Sequence, residues 1–113
     1  MKYKFMSAVI IVVLMCSCAW ADVPSVTMLS TKTCPACRQM QKVFAELRQN
    51  YPDRISTSYV YLEDNPYIAE QYKVRYVPVL IFRDAEGNEL AQEIGYRSAN
   101  DVIKIFMKAG INI

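Results

Sequence analysis

The sequence predicts one α/β domain, in which a central mixed sheet carries helices on both faces in the order β-α-β-α-β-β-α. Three observations predict it. Short runs of β-branched and aromatic residues alternate with segments whose apolar residues recur every three or four positions. Two of the predicted helices begin with a proline, which a helix tolerates in its first turn. The last two predicted strands are joined by a loop of hairpin length.

The first 21 residues are set apart as a predicted secretory signal. Two lysines precede the uncharged apolar run Phe5–Met15, and small residues follow in Ala19–Ala21. This pattern is typical of a signal peptide, here cleaved before Asp22, and it leaves 22–113 as the folded domain. The run is shorter than the roughly 18 to 20 residues that cross a bilayer, so a membrane anchor is the weaker alternative. A lipid anchor on Cys18 is another alternative.

The first predicted strand and helix bring two cysteines to their junction. Val26–Leu29 is an apolar run suited to a buried strand, and a polar loop follows it. Cys34 stands where a helix should begin, with Pro35 in its first turn and Pro52 ending any continuation. The predicted buried face of this helix follows the spacing i, i+3, i+4, i+7: Met40, Val43, Phe44 and Leu47.

A second strand and a short helix follow. Thr57–Leu62 is rich in β-branched and aromatic residues, which favours a strand. Asn65 and Pro66 offer a cap and a first-turn proline for a short helix that reaches Tyr72. Val79–Phe82 is continuously apolar and predicts a third, buried strand.

A hairpin and a last helix complete the domain. The loop Asp84–Asn88 connects the third strand to an antiparallel partner, Glu89–Ile94. Ser98, followed three residues later by Asp101, predicts a capping box. The apolar face of the last helix consists of Val102, Ile103 and Phe106. About 90 residues can bury a modest core, so no structural disulfide is needed.

The charge balance excludes some classes of partner. The chain has 13 Lys and Arg against 11 Asp and Glu. Lys2 and Lys4 lie in the predicted signal, so the remaining chain carries 11 of each sign. Nucleic acids and anionic membrane surfaces require a concentrated positive field, so neither is expected as a partner.

The cysteine count limits metal chemistry. Two of the four cysteines, Cys16 and Cys18, leave with the predicted signal, and the chain has no histidine. A closed zinc site requires about four Cys or His ligands, so we expect no metal and no other cofactor. The remaining metal alternative is one ion shared between two chains. Without histidine, Cys-His and Ser-His catalysis are excluded.

The remaining pair has the spacing of a reactive disulfide. The unpaired N–H groups and the dipole at a helix N-terminus favour a thiolate, and only the thiolate attacks a disulfide. Cys34, exposed at the helix start, is therefore the predicted nucleophile. Cys37, one turn in and less exposed, is predicted to resolve the mixed disulfide. Pro35 and Ala36 offer neither charge nor a hydrogen-bonding side chain, so backbone N–H groups and neighbours such as Lys32 and Arg38 must tune the pair.

A structural disulfide is the alternative interpretation of this motif. A crosslink across two intervening residues constrains the unfolded chain little, compared with roughly 3 kcal/mol for a 15-residue loop. The position of the pair, after a strand and before a helix, also favours redox chemistry. We therefore expect a redox-active disulfide.

Over residues 25–110 the chain resembles thioredoxin in the order and spacing of its motifs. The motifs that carry the resemblance are Cys34–Cys37, Leu62–Pro66, Tyr76–Leu80 and Ile94–Gly95. The resemblance implies a minimal thioredoxin fold that lacks the family's first strand and helix. It also implies that Pro78 is cis and lies against the cysteine pair, and that Val77 presents its backbone to an extended substrate segment. An ordinary trans proline at a strand start is the alternative.

The sequence departs from the family's pattern near the cysteines. The buried Asp and buried Lys of thioredoxins are replaced by Met28 and Tyr59, and the Trp before the first cysteine by Thr33. Since that Asp helps move the proton of the second cysteine in the family, Cys37 should use water or Glu63 instead. We expect most tyrosines to be core or half-buried strand residues, whereas Tyr76 and Tyr96 should lie beside the substrate groove.

Together these features predict an exported, monomeric thiol-disulfide oxidoreductase that reduces or exchanges disulfides in exported proteins. The chain lacks the histidine and the inserted helical domain of strongly oxidising periplasmic enzymes, which favours a reductant. A reductant outside the cytosol must be recharged, so the resemblance implies a membrane electron-transport reductase as donor. The protein would be periplasmic in a bacterium with two membranes. A disulfide-forming oxidase and a redox-inert binding module with the same fold are the alternatives.

Overall fold

The computed structural model describes residues 23–113, which form four strands and three helices in the predicted order. The elements are β1 (Ser25–Ser30), α1 (Pro35–Asn50), β2 (Ser56–Tyr61), α2 (Pro66–Gln71), β3 (Val79–Arg83), β4 (Glu89–Ile94) and α3 (Ala99–Lys108). The predicted signal, residues 1–21, lies outside this range. None of the helices within 23–113 has the length and apolar character needed to cross a membrane.

The sheet is mixed, with the strand order β2-β1-β3-β4. β1 pairs in parallel with β2 and antiparallel with β3, and β3 and β4 form an antiparallel hairpin with a register shift at Phe82 and Arg83. A central strand covered on both faces has apolar residues on both, which explains the continuous apolar run of β3. Because β1 and β2 are parallel and in register, the loops that follow them leave the sheet side by side.

Helices cover both faces of the sheet, as predicted, but they cover them unequally. α1 and α3 pack on one face over the larger core, where the rings of Phe82 and Phe106 meet edge to face at a centroid distance of 5.2 Å. The predicted apolar residues of α1 all belong to this core. The smaller core on the other face comprises Leu29, Val79 and Ile81, against which Ile68 of the short α2 packs.

The helix termini follow the sequence signals at α1 and α3. Cys34 occupies the N-cap of α1 and Pro35 its first position, and the helix ends where the Tyr51 N–H bonds the Leu47 carbonyl at 2.8 Å. At α3 the Ser98 hydroxyl accepts a hydrogen bond from the Asp101 N–H at 3.2 Å, which confirms one of the two bonds of the predicted capping box.

The predicted cap of α2 is wrong. Asn65 stands at the N-cap position, but its side chain makes no capping hydrogen bond. Its amide nitrogen instead donates to the Tyr61 carbonyl at 3.2 Å. The side chain therefore ties the turn back to the end of β2 and leaves the N-terminus of α2 without a side-chain cap.

The hairpin loop is organised by one carboxylate. Asp84 Oδ1 accepts hydrogen bonds from the N–H groups of Asn88 at 2.8 Å and Glu86 at 3.0 Å. These bonds, that from Asn88 foremost, hold the pKa of Asp84 below its usual value. Gly87 completes the loop with a positive φ of 87°, a conformation that favours glycine.

Candidate active site

Cys34 and Cys37 form a disulfide at the N-terminus of α1, with their Cα atoms 5.2 Å apart. Cys34 has extended backbone angles, and its Sγ accepts a hydrogen bond from the Cys37 N–H at 3.1 Å. That N–H belongs to the first helical turn, whose N–H groups have no partner within the helix. The same donor will stabilise a Cys34 thiolate when the disulfide is reduced, because it already points at this sulfur.

The two sulfur atoms differ in accessibility, but both residues are buried in the disulfide form. Cys34 retains 8% of its surface exposed and Cys37 only 1%, and both belong to the larger core. The order of exposure is the predicted one, whereas the prediction of an exposed Cys34 is wrong. Core packing at the start of α1 draws its side chain inward. Of the two residues, Cys34 is therefore the more accessible to a reaction partner, and Cys37 has almost no exposed surface.

Pro35 and Ala36, the residues between the two cysteines, differ in exposure. Pro35 is exposed, and Ala36 is half-buried and packs against the larger core. Neither has a side-chain hydrogen-bonding group. Polar tuning of the disulfide at this turn thus comes from the backbone.

Pro78 and Val77 lie in the segment that leads into β3. The Val77–Pro78 peptide bond is cis, and Pro78 is buried. Val77 is half-buried and packs against the same core cluster that contains both cysteines. No hydrogen bond joins the backbone of Val77 to another residue within 23–113. The structure thus brings Val77 to the core that holds the disulfide and leaves its peptide groups available.

The segment after β4 is bonded both to Pro78 and to α1. The Gly95 N–H donates to the Pro78 carbonyl at 2.8 Å, and Gly95 has a positive φ of 96° that a larger residue rarely adopts. Two residues further on, the Arg97 N–H contacts the sulfur of Met40 at 3.2 Å. Met40 lies in α1, so this segment is fixed both to Pro78 and to the helix that bears the cysteines.

Two exposed tyrosines flank Pro78. Tyr76, directly before Val77, is 69% exposed, and Tyr96, directly after Gly95, is 46% exposed. Their place beside a substrate groove stays a prediction. The wider prediction that most tyrosines are core or half-buried is wrong for the described residues, because Tyr59 and Tyr67 are exposed as well. The short α2 and the edge position of β2 leave these side chains uncovered.

The buried residues that share the larger core with Cys37 are Cys34 and apolar residues. Met28, which stands in place of the family's buried Asp, is fully buried, and Tyr59 is its exposed partner on β2. Apart from the two cysteines, the described members of this core cluster have no titratable side chain except the partly buried Tyr51. Glu63, the predicted alternative to water as proton acceptor, is exposed and bonds the Lys32 N–H instead. Water remains a predicted proton acceptor for Cys37.

Lys32, the charged residue nearest to Cys34 in sequence, is paired. Lys32 Nζ lies 3.2 Å from Asp64 Oδ1 and 5.8 Å from the ring centre of Tyr61. Sequence reasoning treated Lys32 as a charge directed at Cys34 and missed its acidic partner. The available signal was the predicted strand-helix-strand order at the start of the domain, because two strands joined by a helix can pair in parallel and then place the loops after them at one edge.

No group of three or more potential metal-ligating side chains occurs within 23–113. The reactive groups that the described structure brings together are the two sulfur atoms at the N-terminus of α1. A disulfide at this position can accept a thiolate at Cys34, and its reduced form can attack another disulfide.

A family profile described as a thioredoxin-like domain matches residues 21–110. Thioredoxin 1 of Synechococcus elongatus is 37% identical over 54 residues, which cover 47% of this chain and 50% of that protein. The chain spans about half the length of the curated relatives that it matches.

Solved structures show the same likeness. Thioredoxin-2 of the malaria parasite, a component of that parasite's protein secretion machinery, superposes with a TM-score of 0.70 at 26% identity, covering 77% of this chain and 84% of that one. A thioredoxin-like protein of Clostridium perfringens superposes with a TM-score of 0.69 at 30% identity, covering 81% and 75%. The profile match, these relatives and the four-stranded mixed sheet agree, and the chain belongs to the thioredoxin-like domain family.

Proposed function

We propose that this chain is a thiol-disulfide oxidoreductase that reduces or exchanges disulfides in exported proteins. The observation that carries the proposal is the Cys34–Cys37 disulfide at the start of α1, in the core against which Val77 packs beside the cis Pro78. The helix terminus supplies the electrostatic reason for a reactive Cys34. Burial supplies the reason for a Cys37 that reacts only inside the complex.

The proposed reaction has two exchange steps. The Cys34 thiolate attacks one sulfur of a substrate disulfide, which forms a mixed disulfide and releases the other substrate sulfur as a thiolate. Cys37 then loses its proton to water and attacks the Cys34 sulfur. This step releases the second substrate thiolate and restores the Cys34–Cys37 disulfide. Two electrons pass from the protein to the substrate, and the released thiolates take up protons from the solvent.

The backbone of Val77 is the proposed docking site for the substrate. Its peptide groups have no partner within the described chain, so an extended segment can pair with them as an added strand. The exposed rings of Tyr76 and Tyr96 would border such a segment on two sides. Pairing of this kind recognises the substrate through its main-chain groups and not through particular side chains. Such recognition suits a protein that acts on many disulfides.

The cellular setting is proposed from the sequence. The charged start, the apolar run and the small residues of 1–21 support export with cleavage before Asp22. An exported reductant requires an electron source, and we propose a membrane electron-transport reductase together with a monomeric mature protein. Expression of the full chain followed by cell fractionation and N-terminal sequencing tests export. A protein that retains Met1 in the cytosol would contradict it.

The activity itself is tested by insulin reduction with dithiothreitol as the electron source. We expect the wild-type protein to accelerate precipitation of the insulin B chain, and Cys34→Ala to match the uncatalysed rate. An inert binding module would give no acceleration with the wild-type protein either. Equilibration of the pair with a glutathione buffer then fixes the direction. A potential near that of the glutathione pool or above it would favour a disulfide-forming oxidase, while a clearly lower potential supports a reductant.

A further inference from the structure

The loop that leads into Cys34 is attached to the turn that follows β2. Glu63 Oε2 accepts a hydrogen bond from the Lys32 N–H at 2.8 Å. The Lys32 side chain crosses to the same turn, where its Nζ lies 3.2 Å from Asp64 Oδ1. Both segments leave the ends of the parallel strands β1 and β2, and the Leu62 N–H continues that pairing by donating to the Ser30 carbonyl at 2.9 Å.

Few other contacts hold this loop. Residues 31–33 belong to no helix or strand, and both Lys32 and Thr33 are exposed. The backbone bond within the loop, from the Cys34 N–H to the Thr31 carbonyl, has a length of 3.5 Å, beyond the usual range for N–H···O bonds. The bond from Lys32 to Glu63 is much shorter, and its acceptor is a carboxylate, which strengthens it.

We propose that Glu63 is a positioning residue: by accepting the Lys32 N–H, its carboxylate fixes the loop that sets Cys34 at the start of α1. The inference rests on the proposed function only in taking Cys34 as the nucleophile. The Sγ of Cys34 must face the Cys37 N–H to be stabilised as a thiolate, and this requires that the chain enter α1 at a fixed angle. The bond to Lys32, two residues upstream, holds that entry.

The two contacts between the loop and the turn are separable. The Lys32–Asp64 ion pair joins side chains that are about half exposed, and such pairs are screened by solvent. The bond to Glu63 uses the backbone N–H of Lys32, which any residue other than proline retains. A side-chain substitution at Lys32 should therefore leave the positioning contact in place, whereas removal of the Glu63 side chain should not.

The test compares Glu63→Ala with Glu63→Gln. Both variants lose the charge, but only glutamine retains an oxygen that can accept the Lys32 N–H. The reduced full-length protein is treated with iodoacetamide across the pH range, and the first-order rate of Cys34 alkylation is recorded. We expect Glu63→Ala to react about threefold to tenfold more slowly than Glu63→Gln near neutral pH, the loss that corresponds to one hydrogen bond between neutral groups. Lys32→Ala should stay within about twofold of wild type.

Hydrogen exchange at the Lys32 amide reports the contact directly in the oxidised protein. Exchange should be faster in Glu63→Ala than in the wild type, with Glu63→Gln in between or near wild type. Glu70→Ala, which removes an exposed carboxylate from α2, is the matched control and should change neither the exchange nor the alkylation rate. Denaturation midpoints verify that all variants are folded, as expected for exposed positions.

Three results would overturn the inference. Equal alkylation profiles for Glu63→Ala and Glu63→Gln would show that the hydrogen bond does not position Cys34. Unchanged exchange at Lys32 in Glu63→Ala would show that the bond does not hold the loop. A loss in Lys32→Ala as large as that in Glu63→Ala would assign the role to the ion pair. None of these readouts depends on insulin reduction, so failure of the proposed function would be recognised separately, by an inactive wild-type protein.

Discussion

α1 and α2 begin in closely similar ways and differ in what their first residues do. Each follows a strand of the same parallel pair, and each has a polar cap residue followed by proline. At α1 the cap is Cys34, whose sulfur accepts the Cys37 N–H. At α2 the cap position holds Asn65, whose amide donates backwards to the Tyr61 carbonyl. One helix terminus is thus available to a thiolate, whereas the turn before the other supports the loop of its neighbour.

This difference shows that a cap-proline motif does not by itself define a reactive site. At α1 the cap residue Cys34 is buried in the larger core, and the helix is 16 residues long. α2 has six residues, none of them buried, and packs on the smaller core. The reactive cysteine pair therefore stands on the helix with the firmer attachment.

The largest expected effect separates the two sulfur atoms at α1. Cys34→Ala should reduce insulin reduction by about a hundredfold or more, since the remaining described cysteine, Cys37, is only 1% exposed. Cys37→Ala should accumulate mixed disulfides, because the resolving thiol is absent. Non-reducing electrophoresis after exposure to a disulfide-containing protein measures the trapped species. Equal trapping by both variants would contradict the assigned roles.

Because α1 packs on the larger core and α2 on the smaller one, truncation of a packing residue should cost more stability in α1 than in α2. Met40 of α1 is fully buried and also contacts the Arg97 N–H, so Met40→Ala should lower the free energy of unfolding by about 2–5 kcal/mol. Ile68 of α2 is half-buried, so Ile68→Ala should cost about 1–2 kcal/mol.

Urea denaturation monitored by circular dichroism measures both values. A larger loss at Ile68 than at Met40 would show that the two helices are attached in the opposite order of strength.

The third prediction concerns the cap position of α2. At a true N-cap aspartate serves as well as asparagine. Asn65→Asp should nevertheless destabilise the protein by about 0.5–1.5 kcal/mol, because a carboxylate cannot donate to the Tyr61 carbonyl.

Ser98 provides the matched comparison, since its hydroxyl does cap a helix. Ser98→Asp should be nearly neutral and Ser98→Ala should cost about 1 kcal/mol. Thermal denaturation distinguishes the two positions, and a neutral or stabilising Asn65→Asp would mean that this residue caps α2 after all.

The smallest expected effect lies in the β3–β4 loop, away from both helix starts. Hydrogen bonds, first that from the Asn88 N–H, lower the pKa of Asp84 from its usual value of 3.8. Since the folded pKa lies below the unfolded one, the resulting stability is present above the unfolded pKa and is lost as the pH falls through the folded value. Wild type and Asp84→Asn should therefore differ at neutral pH and converge in acid, as measured by denaturation midpoints. Curves that stay parallel down to low pH would contradict this.

Much of the fold was predictable because it depends on local patterns. The second strand was expected at Thr57–Leu62 and occurs at Ser56–Tyr61, and the last strand occurs where predicted. The apolar spacing of α1 and the Ser98 cap depend on residues within one or two turns. Such short-range signals remain valid whatever the rest of the chain does.

The contacts around the site were not predictable in the same way. The bond between Glu63 and Lys32 joins residues 31 positions apart, and it depends on how two loops meet at the edge of the sheet. The burial of Cys34 depends on core packing, which no local pattern records. Likewise, Tyr67 lies on the short α2, which has no buried residue, and its side chain is exposed.

Because both cysteines are buried in the folded protein, folding and reduction of the disulfide are linked in one thermodynamic cycle. In the unfolded chain the pair has the potential of a flexible peptide, whereas in the folded chain the Cys37 N–H and the helix terminus act on Cys34. The shift in potential on folding therefore equals the difference in unfolding free energy between the oxidised and reduced proteins. Each 1.4 kcal/mol of that difference corresponds to about 30 mV for a two-electron couple. Thermal denaturation of the oxidised and the reduced protein would thus give the shift in reduction potential without a redox buffer.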